Sequence, residues 1–501
     1  MPVSRQRDHR SAQRLSLTVP LAVSLAGVLI AAGCSDSGKA SKSDPPTAKG
    51  GAPAAPAATT AAAGYTKEGW FGGADGLHAR LAITGVERQG AKSVLKYSLT
   101  SLDQAPKSVP VEIALLDPVA GKLYKPTATT SAAQLAPNAT RQMQAEYPAI
   151  PQTVQKVTAI TPGTAGEYTG IPVTGTGDSP AAGSGAGASG GNPAELYDIT
   201  EGEIKDVTSS GTDVTMNLRT DVLFAFNSAK LSGRAKSVLD EAAQEIKAKA
   251  DPDKRPLTFD GHTDSKGGDS YNLKLSRQRA EAVMGEMKKR LGNAFKYSAH
   301  GKGEAEPVAK EGGKDDAQAR ARNRRVEISY VVRQQTDGTT GSSTAAAGGR
   351  GGTVAPAAFH GQDGNTVASR YGRFGADKRR LDVKPFYRDG AYIVCVFTIT
   401  DEGPGTTPPD AAYAHKDYPG GAFTSFSVLA QGGKDVYRAV RVGPGDPGKP
   451  AVYVDPGRAT FLSAVNQPQR GFIYVPAPPG NVSSVVFDGG PFGKVLNVPV
   501  S

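Results

Sequence analysis

The stretch GHTDSKGGDSYNLKLSRQRA, Gly261 to Ala280, decides how this chain is read. The segment PLTFDGHT leads into it as a short strand. From about Ser270 to Leu291, Ala280, Val283, Met287 and Leu291 recur at helical spacing. A strand therefore enters a helix through a turn, and Gly261, Gly267 and Gly268 let the backbone bend tightly there. Asp264 lies in the turn, Asn272 near the start of the helix, and Arg279 roughly three helical turns in. Together they can converge on one shallow site beside the loop. A loop carboxylate, a helical guanidinium and the nearby His262 are compatible with an enzyme, a metal site, a structural salt bridge or a clamp for a charged ligand.

The flanking segments extend the pattern. DVTMNL alternates Val214, Met216 and Leu218 with polar residues, as a half-buried strand does. LSGRAKSVLDEAAQEIKAKA places Ala235, Val238, Leu239, Ala242 and Ile246 on one helical face, with Ser232 as its N-cap. FKYSAHG and RRVEISYVV read as further strands, the latter with Val326, Ile328 and Tyr330 on one side. Strands alternating with helices predict an α/β two-layer fold, helices packed on one side of a small mixed sheet.

An Asp and an Arg at one site are complementary to a zwitterion. The carboxylate takes an ammonium, and the guanidinium takes a carboxylate in a two-pronged fork. Outside the cytoplasm, one abundant ligand of that shape is the side-chain end of diaminopimelate in peptidoglycan stems. The alternatives have less to offer. A partly exposed ion pair contributes only about 0–1 kcal/mol. A catalytic role for His262, Asp264 and His300 lacks a nucleophile paired with a base. A metal site lacks the HExxH kind of spacing. The expectation is a binding protein with no catalytic residues, no cofactor and no metal.

FAFNSAKL, GHTDSKGGDSYNLKLSRQRAEAV, GKGEAEPVA and ARNRRVEISY resemble, in order and spacing, the OmpA-like C-terminal domain. That family includes peptidoglycan-associated lipoproteins and flagellar stator proteins. The resemblance implies a βαβαβ-like fold and noncovalent peptidoglycan binding. It places the family's key aspartate on Asp264 and its key arginine on Arg279. Further pocket residues fall on Asn272, Thr263, Asn227, Arg324 and Arg325. One departure stands out: Ala319-Arg320 occupies the place where the family usually has Gly-Arg, and the preceding loop lacks the usual Asn.

The resemblance covers one part of 501 residues, a length that suits about three domains. The 61 Gly and 36 Pro cluster into linkers. Residues 1–33 read as a lipoprotein signal peptide, basic at Arg5, Arg7, Arg10 and Arg14, then apolar, ending in small residues before Cys34. A cysteine at that point resembles a lipobox and implies lipidation at Cys34, placing the protein on the extracytoplasmic side of a membrane. Residues 34–64 read as a disordered tether, 174–195 and 334–354 as linkers. Three folded units remain: 65–173, 196–333 and 355–501. The outer two read as copies of one β-sandwich, resembling immunoglobulin-like modules. RLAITGVERQGAKSVLKYSLT from Arg80 aligns without a gap with RLDVKPFYRDGAYIVCVFTIT from Arg380. Apolar residues coincide at Ile83/Val383, Val86/Phe386, Leu95/Cys395, Tyr97/Phe397 and Leu99/Ile399. Cys395 reads as a small buried hydrophobe. The net charge of +10 suits anionic wall polymers or lipid headgroups, and no interleaved basic and aromatic pattern points to nucleic acid. The expected partners are peptidoglycan, a membrane through lipid on Cys34, and unidentified proteins. The rival readings are an adhesion protein whose OmpA-like unit no longer binds wall, and an envelope enzyme with its active site in a sandwich.

Overall fold

The computed structural model describes residues 64–72, 76–128, 134–177, 192–313, 316–333, 354–405, 407, 411–444, 450–457, 461 and 464–501. The leader, Cys34, the tether and most of both linkers lie outside the described residues. Among the described residues no helix is long and apolar enough to cross a membrane.

The first unit is all strand: β1 (Tyr65–Phe71), β2 (Leu77–Gln89), β3 (Lys92–Ser101), β4 (Ala114–Asp117), β5 (Lys122–Tyr124), β6 (Thr140–Pro148), β7 (Lys156–Ile160) and β8 (Glu167–Thr174). Antiparallel pairing gives the orders β1–β2–β3–β6 and β5–β4–β7–β8. Leu81 and Tyr97 of the first sheet share one core with Leu115 and Tyr168 of the second.

The middle unit holds β9 (Ala194–Glu201), β10 (Lys205–Ser210), β11 (Asp213–Arg219), α1 (Thr220–Leu223), α2 (Ala235–Lys249), β12 (Leu257–His262), α3 (Asp269–Leu291), β13 (Tyr297–Gly303), α4 (Asp316–Asn323) and β14 (Arg325–Val331). Its sheet runs β9–β10–β11–β14–β12–β13, antiparallel except for β12–β13. Val238, Leu239 and Ile246 of α2 and Val283 and Met287 of α3 pack on Met216, Phe259, Val326 and Ile328, giving the expected layer of helices on a mixed sheet. Arg234, not Ser232, stands at the N-cap of α2 and makes no side-chain cap bond; Ser232 lies two residues earlier, where its Oγ accepts from the Ala235 amide at 3.2 Å.

The last unit is again built of strands: β15 (Ala368–Phe374), β16 (Asp377–Val383), β17 (Tyr387–Asp389), β18 (Tyr392–Asp401), β19 (Ser427–Ala430), β20 (Val436–Arg438), β21 (Arg441–Val442), β22 (Val452–Tyr453), β23 (Pro468–Pro476), β24 (Ser484–Asp488) and β25 (Lys494–Pro499). The sequence repeat reappears as register. Arg80 faces Thr100 and Leu81 faces Leu99, while Arg380 faces Thr400 and Leu381 faces Ile399. The strands that follow keep step, with Lys92 opposite Pro148 and Tyr392 opposite Pro476. All five aligned apolar pairs are buried, Cys395 included.

The units are not beads on a string. β9 begins at Ala194, within the expected linker 174–195, and touches every unit. It pairs with β5 at Glu195, with β21 at Leu196 and Tyr197, with β20 at Thr200 and Glu201, and with β10 along its other edge. Thr174, also assigned to that linker, is the last residue of β8. A separate apolar core joins Leu116, Leu123 and Ile160 of the first unit, Leu196 of β9, and Tyr392, Val394, Val396, Phe472 and Tyr474 of the last. Beside it lies Glu167, fully buried, held by both terminal nitrogens of Arg470 at 2.6 and 3.0 Å and by the Tyr387 hydroxyl at 2.6 Å. Linkers composed of Gly and Ser carry no information about whether the domains they join bury surface against each other.

Candidate functional site

The turn between β12 and α3 is tight because two glycines make it so. A Cβ on Gly261 would sit 2.0 Å from the Ser276 carbonyl oxygen, so only glycine lets the strand end approach the helix this closely. Gly267 takes φ +109°, a backbone that other residues rarely adopt. Asn272, almost completely buried on the first turn of α3, latches the loop. Its Nδ2 donates to the Lys266 carbonyl at 3.1 Å and to Glu304 Oε2 at 2.7 Å. The Thr263 amide donates to the Gly303 carbonyl at 2.8 Å, while its buried Oγ1 has no hydrogen-bond partner among the described residues.

Asp264, positioned by this frame, does not pair with Arg279. Its Oδ2 accepts from Arg324 Nη1 at 2.6 Å, and its Oδ1 from the Lys266 amide at 3.2 Å. Arg324 also grips Asp221 through Nε and Nη2. These carboxylates push the Arg324 pKa up, Asp221 first. Arg279 is only 5% exposed. Its Nε donates to the Ser228 carbonyl at 3.0 Å and its guanidinium lies over the Phe224 ring at 5.5 Å. Burial lowers its pKa, opposed by the charges of Asp221, Tyr271 and Asp264. Among the described residues its Nη1 and Nη2 have no hydrogen-bond or ion-pair partner. A buried guanidinium without a carboxylate is costly unless something supplies one.

Asn227 stands at the rim, in a left-handed conformation of φ +55°, and accepts from the Tyr271 hydroxyl at 2.5 Å. The structure thus gathers Asp264, Arg279, Asn272, Thr263, Asn227 and Arg324 around one loop. It does not bring Arg325 there. Arg324 lies in the bend between α4 and β14, whereas Arg325 opens β14 and turns inward to Asn217 Oδ1 at 3.1 Å and the Glu306 carbonyl at 3.2 Å. His262 is buried and neutral, as a strand-end packing residue should be. Burial first, then the nearby charges of Arg325 and Lys302, hold its pKa down at about 3.

Sequence reasoning missed Asp221, whose fork on Arg324 no local pattern announces. It also missed Asn323, fully buried, whose Oδ1 accepts from the Val308 and Ala309 amides at 2.9 Å. Its Nδ2 donates to Glu311 Oε1 at 2.7 Å, and Glu311 in turn takes the Ser265 amide and hydroxyl. A cleft of about 370 Å³ lies elsewhere, between the middle and last units, lined by Asp206, Arg322, Arg325, Asp417, Tyr418 and Arg441 among others. Of its charged groups, Arg322 pairs with Asp417 across the cleft, and Asp206 is taken by Arg219 from outside it. The loop of Asp264, where a cation lacks its anion, is the better candidate.

The profile of the OmpA family matches residues 223–324. Residues 223–324 are an OmpA family domain. The match opens at Leu223, at the end of α1, and closes on Arg324, so the OmpA domain holds every gathered pocket residue; Asp221 and Arg325 fall just outside it. Probable lipoprotein YiaD of Escherichia coli (strain K12) is 32% identical over 147 residues, 28% of this chain and 64% of the relative. Outer membrane protein A of Bordetella avium is 35% identical over 111 residues, 22% of this chain and 54% of the relative. This chain thus spans less than two thirds of either relative. Among solved structures, the cell wall anchor of the T6SS from Pseudomonas aeruginosa is 30% identical, with 26% of this chain and 88% of that chain covered and a TM-score of 0.23. The peptidoglycan-associated lipoprotein from Burkholderia pseudomallei is 30% identical, with 22% and 88% covered and a TM-score of 0.19.

Proposed function

We propose that this protein binds peptidoglycan noncovalently through its OmpA domain, taking the amino-acid end of a diaminopimelate side chain between Asp264 and Arg279. One observation carries the reading: Arg279 is buried beside Asp264 with both terminal nitrogens unpaired among the described residues. A ligand carboxylate on that guanidinium would make charge-assisted bonds. The ligand's ammonium would reach Asp264, whose Oδ1 is engaged by a single amide. Asn272 and Thr263 hold the loop in place, and Asn227 with Tyr271 closes the rim. Arg324 sets the carboxylate of Asp264.

Together with the leader and Cys34, this makes the protein a lipid-anchored link between a membrane surface and the wall. The flanking units act as β-sandwiches that present surfaces to other envelope components. The test is sedimentation of the full chain with purified sacculi. Wild type should cosediment, and Asp264→Ala and Arg279→Ala should each lose most of that binding. Wild-type sedimentation by both variants would sink the reading.

A further inference from the structure

Arg322, Asn323 and Arg324 are consecutive, and each reaches a different place. Arg324 enters the pocket and holds Asp264 Oδ2. Asn323 pins Val308 and Ala309 and, through Glu311, the Ser265 amide next to Asp264. Arg322 leaves the OmpA domain altogether. It pairs with Asp417 of the last unit, receives the Tyr418 hydroxyl oxygen as acceptor at 3.0 Å, and meets Glu201 of β9 at 3.0 Å. Tyr418 in turn donates to Glu201 at 2.6 Å, and Arg438 holds the other Glu201 oxygen at 2.7 Å. The Tyr418 ring lies under both guanidinia, 5.6 Å from Arg322 and 5.7 Å from Arg438. This knot is mostly shielded, with Arg322 11% and Glu201 13% exposed. Charged groups so enclosed keep a fixed geometry only while every partner is present.

We propose that the last all-β unit is a working part of the wall-ligand pocket: by fixing Arg322 through Asp417 and Tyr418, it sets the positions of Asn323 and Arg324 and so of Asp264. This rests on the wall-binding reading and gives the unit a task within it. The backbone leaves little slack for Arg322 to move alone. The Arg324 amide donates to the Arg320 carbonyl at 2.9 Å, and the Arg324 carbonyl accepts the Thr220 amide at 2.9 Å. A shift at Arg322 therefore passes to both neighbours. Tyr418 and Asp417 are positioning residues here; the ligand itself meets Asp264 and Arg279.

The experiment uses the full chain with Tyr418→Phe, Asp417→Asn and the double variant. Amide hydrogen exchange is followed at Ser265, Ala309 and Thr220, with Met216 and Ile328 as core controls. Breaking the knot should speed exchange at the first three by roughly three- to tenfold, the range expected of groups sharing one hydrogen-bonded network. The controls should not change. Affinity for a soluble diaminopimelate-containing stem tripeptide should fall by a similar factor. If the double variant loosens the core amides as well, the milder Tyr418→Phe decides. Unchanged exchange at Ser265, Ala309 and Thr220 overturns the coupling, whatever the affinity does. A wild-type chain that does not bind the tripeptide overturns the wall-binding reading instead, and leaves exchange to decide this one.

Discussion

Two largely enclosed arginines in this molecule have opposite surroundings. Arg470, at the seam between the all-β units, is saturated: Glu167 takes both its terminal nitrogens and Asp363 takes Nε and Nη2 at 2.7 and 2.8 Å. Arg279, in the OmpA domain, has a carbonyl and an aromatic ring and, among the described residues, no carboxylate bonded to it. Both have lost most of their contact with water, so both pay for desolvation. At the seam the pairing is complete in the protein alone, and the charges hold Glu167 down to about pKa 2 despite its burial. In the pocket the pairing is incomplete, and burial leaves the Arg279 pKa lowered. On the proposed reading, the closed charge network serves architecture and the one left open beside a loop serves recognition.

The largest effect should come from breaking the closed network. Glu167→Ala leaves Arg470 and Lys67 at a buried seam without their shared carboxylate, a loss on the order of 3–5 kcal/mol. Urea unfolding should show that drop, while sacculus binding per folded molecule stays near wild type. A midpoint close to wild type would mean that the seam opens without cost.

Opening the pocket should do the reverse. Arg279→Ala should reduce wall affinity roughly ten- to hundredfold, from about 1.5–3 kcal/mol of charge-assisted contact. It should also cost about 1 kcal/mol of stability, because the Ser228 bond and the Phe224 contact go with it. A variant with equal losses in both would make Arg279 structural, like Arg470.

pH should separate the same two regions. His262 has a folded pKa of about 3 against an unfolded value near 6.5. The folded state refuses its proton, so the OmpA domain loses stability as pH falls below 6.5, about 1 kcal/mol by pH 5.5. Asp389 and Asp455 of the last unit run the other way. Burial raises each to about 6, so their folded forms take up protons first and that unit gains stability as pH falls through 6. Amide exchange in β12 and β18, compared at pH 6.5 and 5.5, should move in opposite directions. The smallest effect is expected of Lys434→Ala, whose exposed pair with Glu203 also bridges two units: within about 0.5 kcal/mol by urea unfolding.

Much of this was legible in the sequence, and the reasons differ by region. The Asp264 loop was readable because glycine spacing, a helical apolar stripe and a strand end all pointed to one turn. The repeat was readable because two strands in register bury the same alternating positions. β9 was not, since AELYDITE carries no mark of the several strands it will pair with. A signal for the seam was present in YIVCVF of β18: a strand apolar on both faces needs cover on both. Its inward face, with Cys395 and Phe397, fills its own unit, and Tyr392, Val394 and Val396 face the seam. Arg325 was misplaced because neighbouring arginines look alike in a motif, and nothing in it marks that a bend ends at Arg324 and β14 begins at Arg325.

The most direct measurement compares two soluble stem tripeptides on the full chain by calorimetry. One ends in diaminopimelate, the other in lysine, which keeps the side-chain ammonium but lacks the second carboxylate. The account predicts at least roughly tenfold tighter binding of the first by wild type, and loss of that difference in Arg279→Ala. Equal affinity of wild type for both peptides would show that Arg279 meets no ligand carboxylate, and would contradict the account.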